Sequence, residues 1–259
     1  MMDFVRVEVE DHIATVTFDR PPVNAVDVAA NTELQDAFDA IGEDKDVRVA
    51  IFTAAGDRAF IAGADMKAID RGLERRRLVD VTDTGRGMRE AFWSVYDCAV
   101  PVIGAINGPA IGAGLAYAAM CDIIIAAEEA TFGTTEINVG LLGAASHLQR
   151  MVGPYKTRWM FLTGALVPAA ELYRLGAIEQ VVPRSRLLEA ANELAHELAK
   201  KSPIAMRLAK EAMNRVEYLP LKEGYRTEQD YTNRLLTFDD SKEAVRAFLE
   251  KREPEWGWS

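Results

Sequence analysis

Residues 101–114 read PVIGAINGPAIGAG. The run from Val102 to Ile106 is short, apolar and β-branched, the pattern of a strand covered on both faces. It passes through Asn107-Gly108-Pro109 into the small residues Ala110 to Gly114, which lead into a helix. A second small-residue turn, FIAGADM at residues 60–66, likewise follows a strand signal. Small side chains let a ligand approach backbone N–H groups, and those at a helix N-terminus favour negative charge. Two such donors converging would make an oxyanion hole, in which each donor is typically worth ~10²–10³ in rate. Close packing of a helix on a strand selects the same residues, so spacing alone leaves both readings open.

Outward from this centre, the first half of the chain alternates strand and helix signals. Residues 4–10 and 13–18 run at period two around Asp11, which predicts a hairpin. Asp27 can cap a helix whose positions Leu34, Ala37, Phe38 and Ile41 share one face. Residues 47–54, VRVAIFTA, predict a strand stopped at Gly56-Asp57. A polar stretch over residues 70–77 carries Arg71, Arg75, Arg76 and Arg77, with Asp70 and Glu74 as counter-charges. A helix follows through Met88, Phe92 and Val95, and residues 123–126 make another buried-strand run. Beyond about Tyr155, residues 178–182 predict one more strand. Residues 187–199, 204–216 and 242–251 show the helical period with charged outer faces. The expected plan is an α/β core over residues 1–200 and a helical C-terminal region over 201–259.

The 259 residues are 49% hydrophobic and 27% charged, which excludes collagen-like, disordered and disulfide-scaffold classes. A net charge of −10 speaks against nucleic-acid binding, which needs a basic face. Cys98 and Cys121 form no disulfide framework, in keeping with a reducing compartment. Residues 1–10 lack the apolar run of a signal peptide, so a cytoplasmic location is expected. Residues 109–127 are apolar with one charge, Asp122, which would cost about 2.5–3.5 kcal/mol in a bilayer. The stretch passes from Gly/Ala-rich to β-branched and reads as a buried helix running into a buried strand, with no role for a membrane.

Familiar nucleotide, metal and hydrolase motifs fail. No Walker-type loop, HExxH or GxSxG occurs. Gly112-Ala113-Gly114 begins like a dinucleotide fingerprint, but the third glycine position holds Tyr117. Three histidines, His12, His147 and His196, are too few for a multi-histidine metal site. Other pieces do recur in a known order: Arg20-Pro21 with Asn24-Ala25, then Ala62 to Met66, then residues 101–108, then Cys121-Asp122-Ile123. Thr131-Phe132-Gly133 through Glu136 and Gly140, Leu162-Thr163-Gly164, and Phe248 to Arg252 complete the series. Over nearly its whole length the chain resembles the crotonase, or enoyl-CoA hydratase/isomerase, superfamily.

That resemblance implies a crotonase-like spiral of β-β-α turns, with C-terminal helices that pack subunits into trimers or dimers of trimers. It implies acyl-CoA thioester substrates, with CoA as part of the substrate and no separate cofactor or metal. By position, the hole donors fall on the N–H groups of Ala64 and Ala113. CoA contacts fall on Val23, Ala25, Ala62, Gly63, Asp65, Met66, Lys67 and Gly112, with Phe248 and Lys251 reaching a CoA from their own or a neighbouring subunit. Hydratases of this superfamily carry two glutamates. Here the first position is Ala116, and the second is present as Glu136. Gly143-Ala144-Ala145-Ser146-His147 replaces a glycine-rich turn, and His147 reads either as a second acid/base or as a histidine opening a helix. The Arg-rich stretch reads either as an attractor for CoA phosphates or as a solvated helix face. A single glutamate points first to double-bond isomerisation of an enoyl-CoA. Alternatives are a hydratase, hydrolase or decarboxylase that recruits another group, and a non-catalytic protein binding acyl-CoA or RNA.

Overall fold

The computed structural model describes residues 2–75 and 85–258, and residues 71–75 by their backbone alone. The expected hairpin forms between β1 (Val5–Glu10) and β2 (Ile13–Phe18), antiparallel, with Asp11 and His12 at positive φ in the turn. The Asp27 carboxylate caps α1 (Val28–Glu43) by accepting from the Ala30 N–H. β3 (Val49–Ala54) then pairs in parallel with β2. After α2 (Met66–Arg75) and α3 (Arg86–Tyr96), β4 (Val102–Ile106) adds to β3.

The long apolar stretch resolves as read. β5 (Ala110–Ile111) and α4 (Ala113–Met120) lead into β6 (Ile123–Ala127), and every residue of α4 is buried. No helix among the described residues is long and apolar enough to cross a membrane. β7 (Thr131–Gly133), α5 (Ala145–Thr163), β8 (Val167–Pro168), α6 (Ala169–Arg174) and β9 (Gln180–Val182) follow. The main sheet has the order β1-β2-β3-β4-β6-β9, and a small sheet has the order β5-β7-β8.

Strand alternation explains why the central strands look uniformly apolar. Ala14, Val16, Ala50, Phe52 and Val102 face one layer, packed with α1, α3 and α4. Their neighbours Ile13, Val49, Ile51, Ile103 and Ile125 face the other, under α7 (Leu187–Ala199). Both faces are covered, so neither can be polar. An edge-to-face aromatic chain crosses the first layer, from Phe38 to Phe52 (5.2 Å), Phe52 to Tyr117 (5.9 Å) and Tyr117 to Phe92 (4.7 Å). Tyr117, where a dinucleotide fold would place glycine, is fully buried and donates to Asn31 Oδ1 at 2.7 Å.

The chain ends in α8 (Pro203–Val216), α9 (Leu221–Leu235) and α10 (Asp239–Glu250). Two cations tie α8 to the core. Arg207 donates to the carbonyls of Gly42 and Asp44 at the end of α1. Lys210, 2% exposed, pairs with Asp122 at 2.8 Å and donates to the carbonyls of Val95 and Val100. Several apolar side chains of the last helices find no cover in the single chain: Met213, Leu236, Val245, Phe248 and Leu249 are all exposed.

Candidate active site

The two small-residue turns meet in space. Residues 23–26 and 62–65 are laced by Ala62 N–H to Val23 O, Val26 N–H to Gly63 O and Asp65 N–H to Val26 O. Ala64 sits opposite Val26 in this bridge, so its own N–H points to the other side and donates to nothing among the described residues. Ala113 opens α4, where an N–H precedes any intrahelical acceptor. It too is uncommitted among the described residues. Both alanines line one cavity of about 380 Å³, with Ala116, Ile69, Met88, Phe92, Leu141, Leu142, Gly143, Ala144 and Glu136. Two free donors thus border the same space.

Glycines set the approach. A Cβ at Gly114 would stand 2.0 Å from the Ile61 carbonyl oxygen, so only glycine lets the start of α4 lie on the first turn. Gly112 has φ +55 and faces the Glu136 carboxylate. Glu136 begins a short 3₁₀ turn (Glu136–Val139) that Gly140 terminates in the left-handed conformation. Its Oε2 is buried without a hydrogen-bond partner, and burial raises its pKa above the ordinary carboxylate value. Among the described residues that line the cavity, Glu136 carries the one ionisable side chain. Ala116 offers a methyl group to the same space, so the position of the missing second carboxylate is vacant of acid and base.

Arg20 braces the first turn. Its guanidinium donates to Ala25 O at 2.6 Å, to Asp27 at 2.7 Å and to Asp65 at 3.1 Å. Arg20 also holds the Asp65 carboxyl below its ordinary pKa. Asp65 in turn accepts from the Lys67 and Ala68 N–H groups at the start of α2. Asn24 (φ +56) donates to Ala55 O and Ala59 O, and Asn107 to Ala54 O and Gly56 O. These motif residues act by holding the loop after β3.

Of the sequence-predicted site residues, Ala64, Ala113 and Glu136 come together at the cavity, with Gly112 behind the carboxylate. Val23, Ala62 and Gly63 belong to the laced turns, Ala25 accepts from Arg20, and Met66 and Lys67 are exposed at the start of α2; none of these is in the cavity lining. Phe248 and Lys251 lie at the end of α10, exposed and away from the cavity lining. His147 falls outside that lining as well. Its ring packs edge-to-face on Phe92 at 5.3 Å, and burial with the nearby Arg150 charge lowers its pKa. Arg76 and Arg77 lie outside the described residues, and for Arg71 and Arg75 the description stops at helical backbone. The sequence reading missed Ile69, Leu141 and Leu142 as cavity walls. It placed Met88 and Phe92 on a helix without saying what their face meets, because an apolar helix face reads alike whether it meets protein or ligand.

A sheet-and-helix spiral thus brings two uncommitted N–H groups and one buried carboxylate oxygen to the lining of one cavity. The chain belongs to the enoyl-CoA hydratase/isomerase family, the crotonase superfamily, whose family model matches residues 8–258. It is 41% identical over 242 residues to the (7aS)-7a-methyl-1,5-dioxo-2,3,5,6,7,7a-hexahydro-1H-indene-carboxyl-CoA hydrolase of Mycobacterium tuberculosis, covering 93% of this chain and 96% of that one. It is 34% identical over 251 residues to a carnitinyl-CoA dehydratase of Salmonella typhimurium, covering 94% of each. The crystal structure of an enoyl-CoA hydratase/isomerase from Mycobacterium paratuberculosis superposes with a TM-score of 0.91 at 31% identity, over 100% of both chains.

Proposed function

We propose that the protein acts on acyl-CoA thioesters, with the N–H groups of Ala64 and Ala113 holding the thioester oxygen as it becomes enolate-like and Glu136 moving the proton. The observation that carries this reading is the pair of uncommitted donors bordering a cavity whose one ionisable wall, among the described residues, is Glu136. One base suffices to move a double bond: the carboxylate takes a proton from C2 and returns it at C4. Hydration asks for a water to be oriented and deprotonated and for a proton to reach C2. With a methyl at Ala116, that reaction lacks the second group, a handicap of ~10²–10⁴. Enoyl-CoA isomerisation is therefore our first reading.

Hydrolysis is the second, favoured by the 41% identity to a protein named as a hydrolase of a bicyclic dioxo carboxyl-CoA. There Glu136 would take the proton of an attacking water, while the same donors hold the oxyanion. A single preparation assayed for 3-enoyl-CoA isomerisation, 2-enoyl-CoA hydration and acyl-CoA hydrolysis decides the order. Isomerisation should be fastest. Hydrolysis exceeding it would select the second reading, and inertness in all three would overturn both.

The exposed apolar residues of α8 to α10 support a homo-oligomer, a trimer or a dimer of trimers, that would bring Phe248 and Lys251 toward a neighbouring site. Light scattering should show a multiple of three chains; a monomer at all concentrations would overturn this.

A further inference from the structure

A second cleft, of about 340 Å³, is lined by Trp93, Tyr96, Met120, Ser146, His147, Arg150, Asn214 and Tyr218. It is built on the same three elements as the first. On α4, Ala113 and Ala116 face the first cavity and Met120 the second. On α3, Met88 and Phe92 precede Trp93 and Tyr96; at the start of α5, Gly143 and Ala144 precede Ser146 and His147. The Phe92 ring lines the first and packs against His147, which lines the second.

Most polar groups of the second cleft are committed. Arg150 pairs with Glu217 at 2.8 Å and donates to the Ala119 carbonyl. The Tyr96 hydroxyl donates to Glu217 at 2.7 Å, and Asn214 donates to the Tyr96 carbonyl. The His147 ring has no hydrogen-bond partner among the described residues. With Arg150 already neutralised by Glu217, no free cation lines the cleft among the described residues. The imidazole, which burial favours in its neutral form, offers one N–H.

Resting on the acyl-CoA reading, we infer that the two clefts form one acyl channel gated by Phe92, in which His147 donates to a neutral oxygen at the far end of a cyclic oxo-acyl group. The eight residues from Ala113 to Met120 rise roughly 10 Å over their seven steps at about 1.5 Å each, so the occupant is longer than a four-carbon chain. The aromatic walls suit flat or fused rings.

Calorimetry with three saturated probes tests this: butyryl-CoA, decahydronaphthalene-carboxyl-CoA, and the same bicycle with a ketone on the far ring. The wild-type protein should bind all three, the ketone about tenfold more tightly than the plain bicycle. His147→Leu should bring that ratio to one, and His147→Gln, which keeps an N–H donor, should restore part of it; each variant's butyryl-CoA affinity reports its folding. Equal binding of the two bicycles by wild type, a preference that survives His147→Leu, or butyryl-CoA binding with both bicycles excluded would overturn the inference alone. Failure of wild type to bind even butyryl-CoA would overturn the acyl-CoA reading, and the inference with it.

Discussion

The α-carbon of Gly112 lies against the carboxylate of Glu136, so closely that a methyl group there would stand 2.2 Å from Oε1. One glycine therefore does two things. It adopts the positive φ that turns the chain into α4, and it leaves room for the one carboxylate among the described residues of the cavity wall.

Gly112→Ala should cost both terms. The methyl group displaces Glu136, and alanine resists φ +55 with ψ −110 by roughly 1–3 kcal/mol. Turnover should fall at least ~10²-fold, the lower end of what a general base contributes, with a lowered melting temperature. Wild-type turnover in this variant would show that the carboxylate position is unimportant.

Glu136 gives opposite outcomes for activity and stability. Its carboxylate must be ionised to act as a base, so kcat/KM should rise with pH through a pKa above the usual glutamate value. Because the folded-state pKa lies above the unfolded one, this group's stabilising contribution is present at low pH and lost as pH rises through the folded value. Glu136→Gln should thus abolish turnover, keep thioester binding, and be more stable than wild type at neutral pH, with the difference shrinking in acid. Urea unfolding at two pH values checks the sign.

Arg20 touches no cavity wall, yet it holds Asp65, the neighbour of the Ala64 donor. Arg20→Met should lower kcat about tenfold with little change in KM, since a slack donor weakens the enolate more than the ground state. With the guanidinium and its partners each about one-fifth exposed, the stability loss should be about 1–2 kcal/mol. Equal losses in kcat and binding would assign Arg20 to substrate contact.

Lys210 and Asp122 pair at 2.8 Å with the ammonium almost wholly buried. Lys210→Met alone leaves Asp122 with the Val102 N–H but without its buried counter-charge, and should cost up to ~3–5 kcal/mol in denaturant unfolding. Adding Asp122→Asn should recover part of that loss. Strict additivity of the two would show that they do not interact.

The six main-sheet strands and the helices α1, α3, α4, α7, α8 and α10 were legible from residue patterns because local periodicity and capping act over a few neighbours, whereas the short strands β5, β7 and β8 and the helices α5, α6 and α9 were not. The buried stretch over residues 109–127, the Asp27 cap and the main-sheet strands needed nothing more. The proposed glutamate base and the two alanines proposed as donors were reached through motif order alone, since nothing local distinguishes Ala64 or Ala113 from a packing alanine. Only the tertiary structure decided the rest. Whether Phe92 and Met88 meet core or cavity depends on what α4 and the loop at residues 141–144 place opposite them. Whether His147 faces Glu136 or the far side of Phe92 depends on the start of α5, after Ala144 at φ +58. Those are distances between elements far apart in the chain, set by packing of the whole core, and no local pattern carries them.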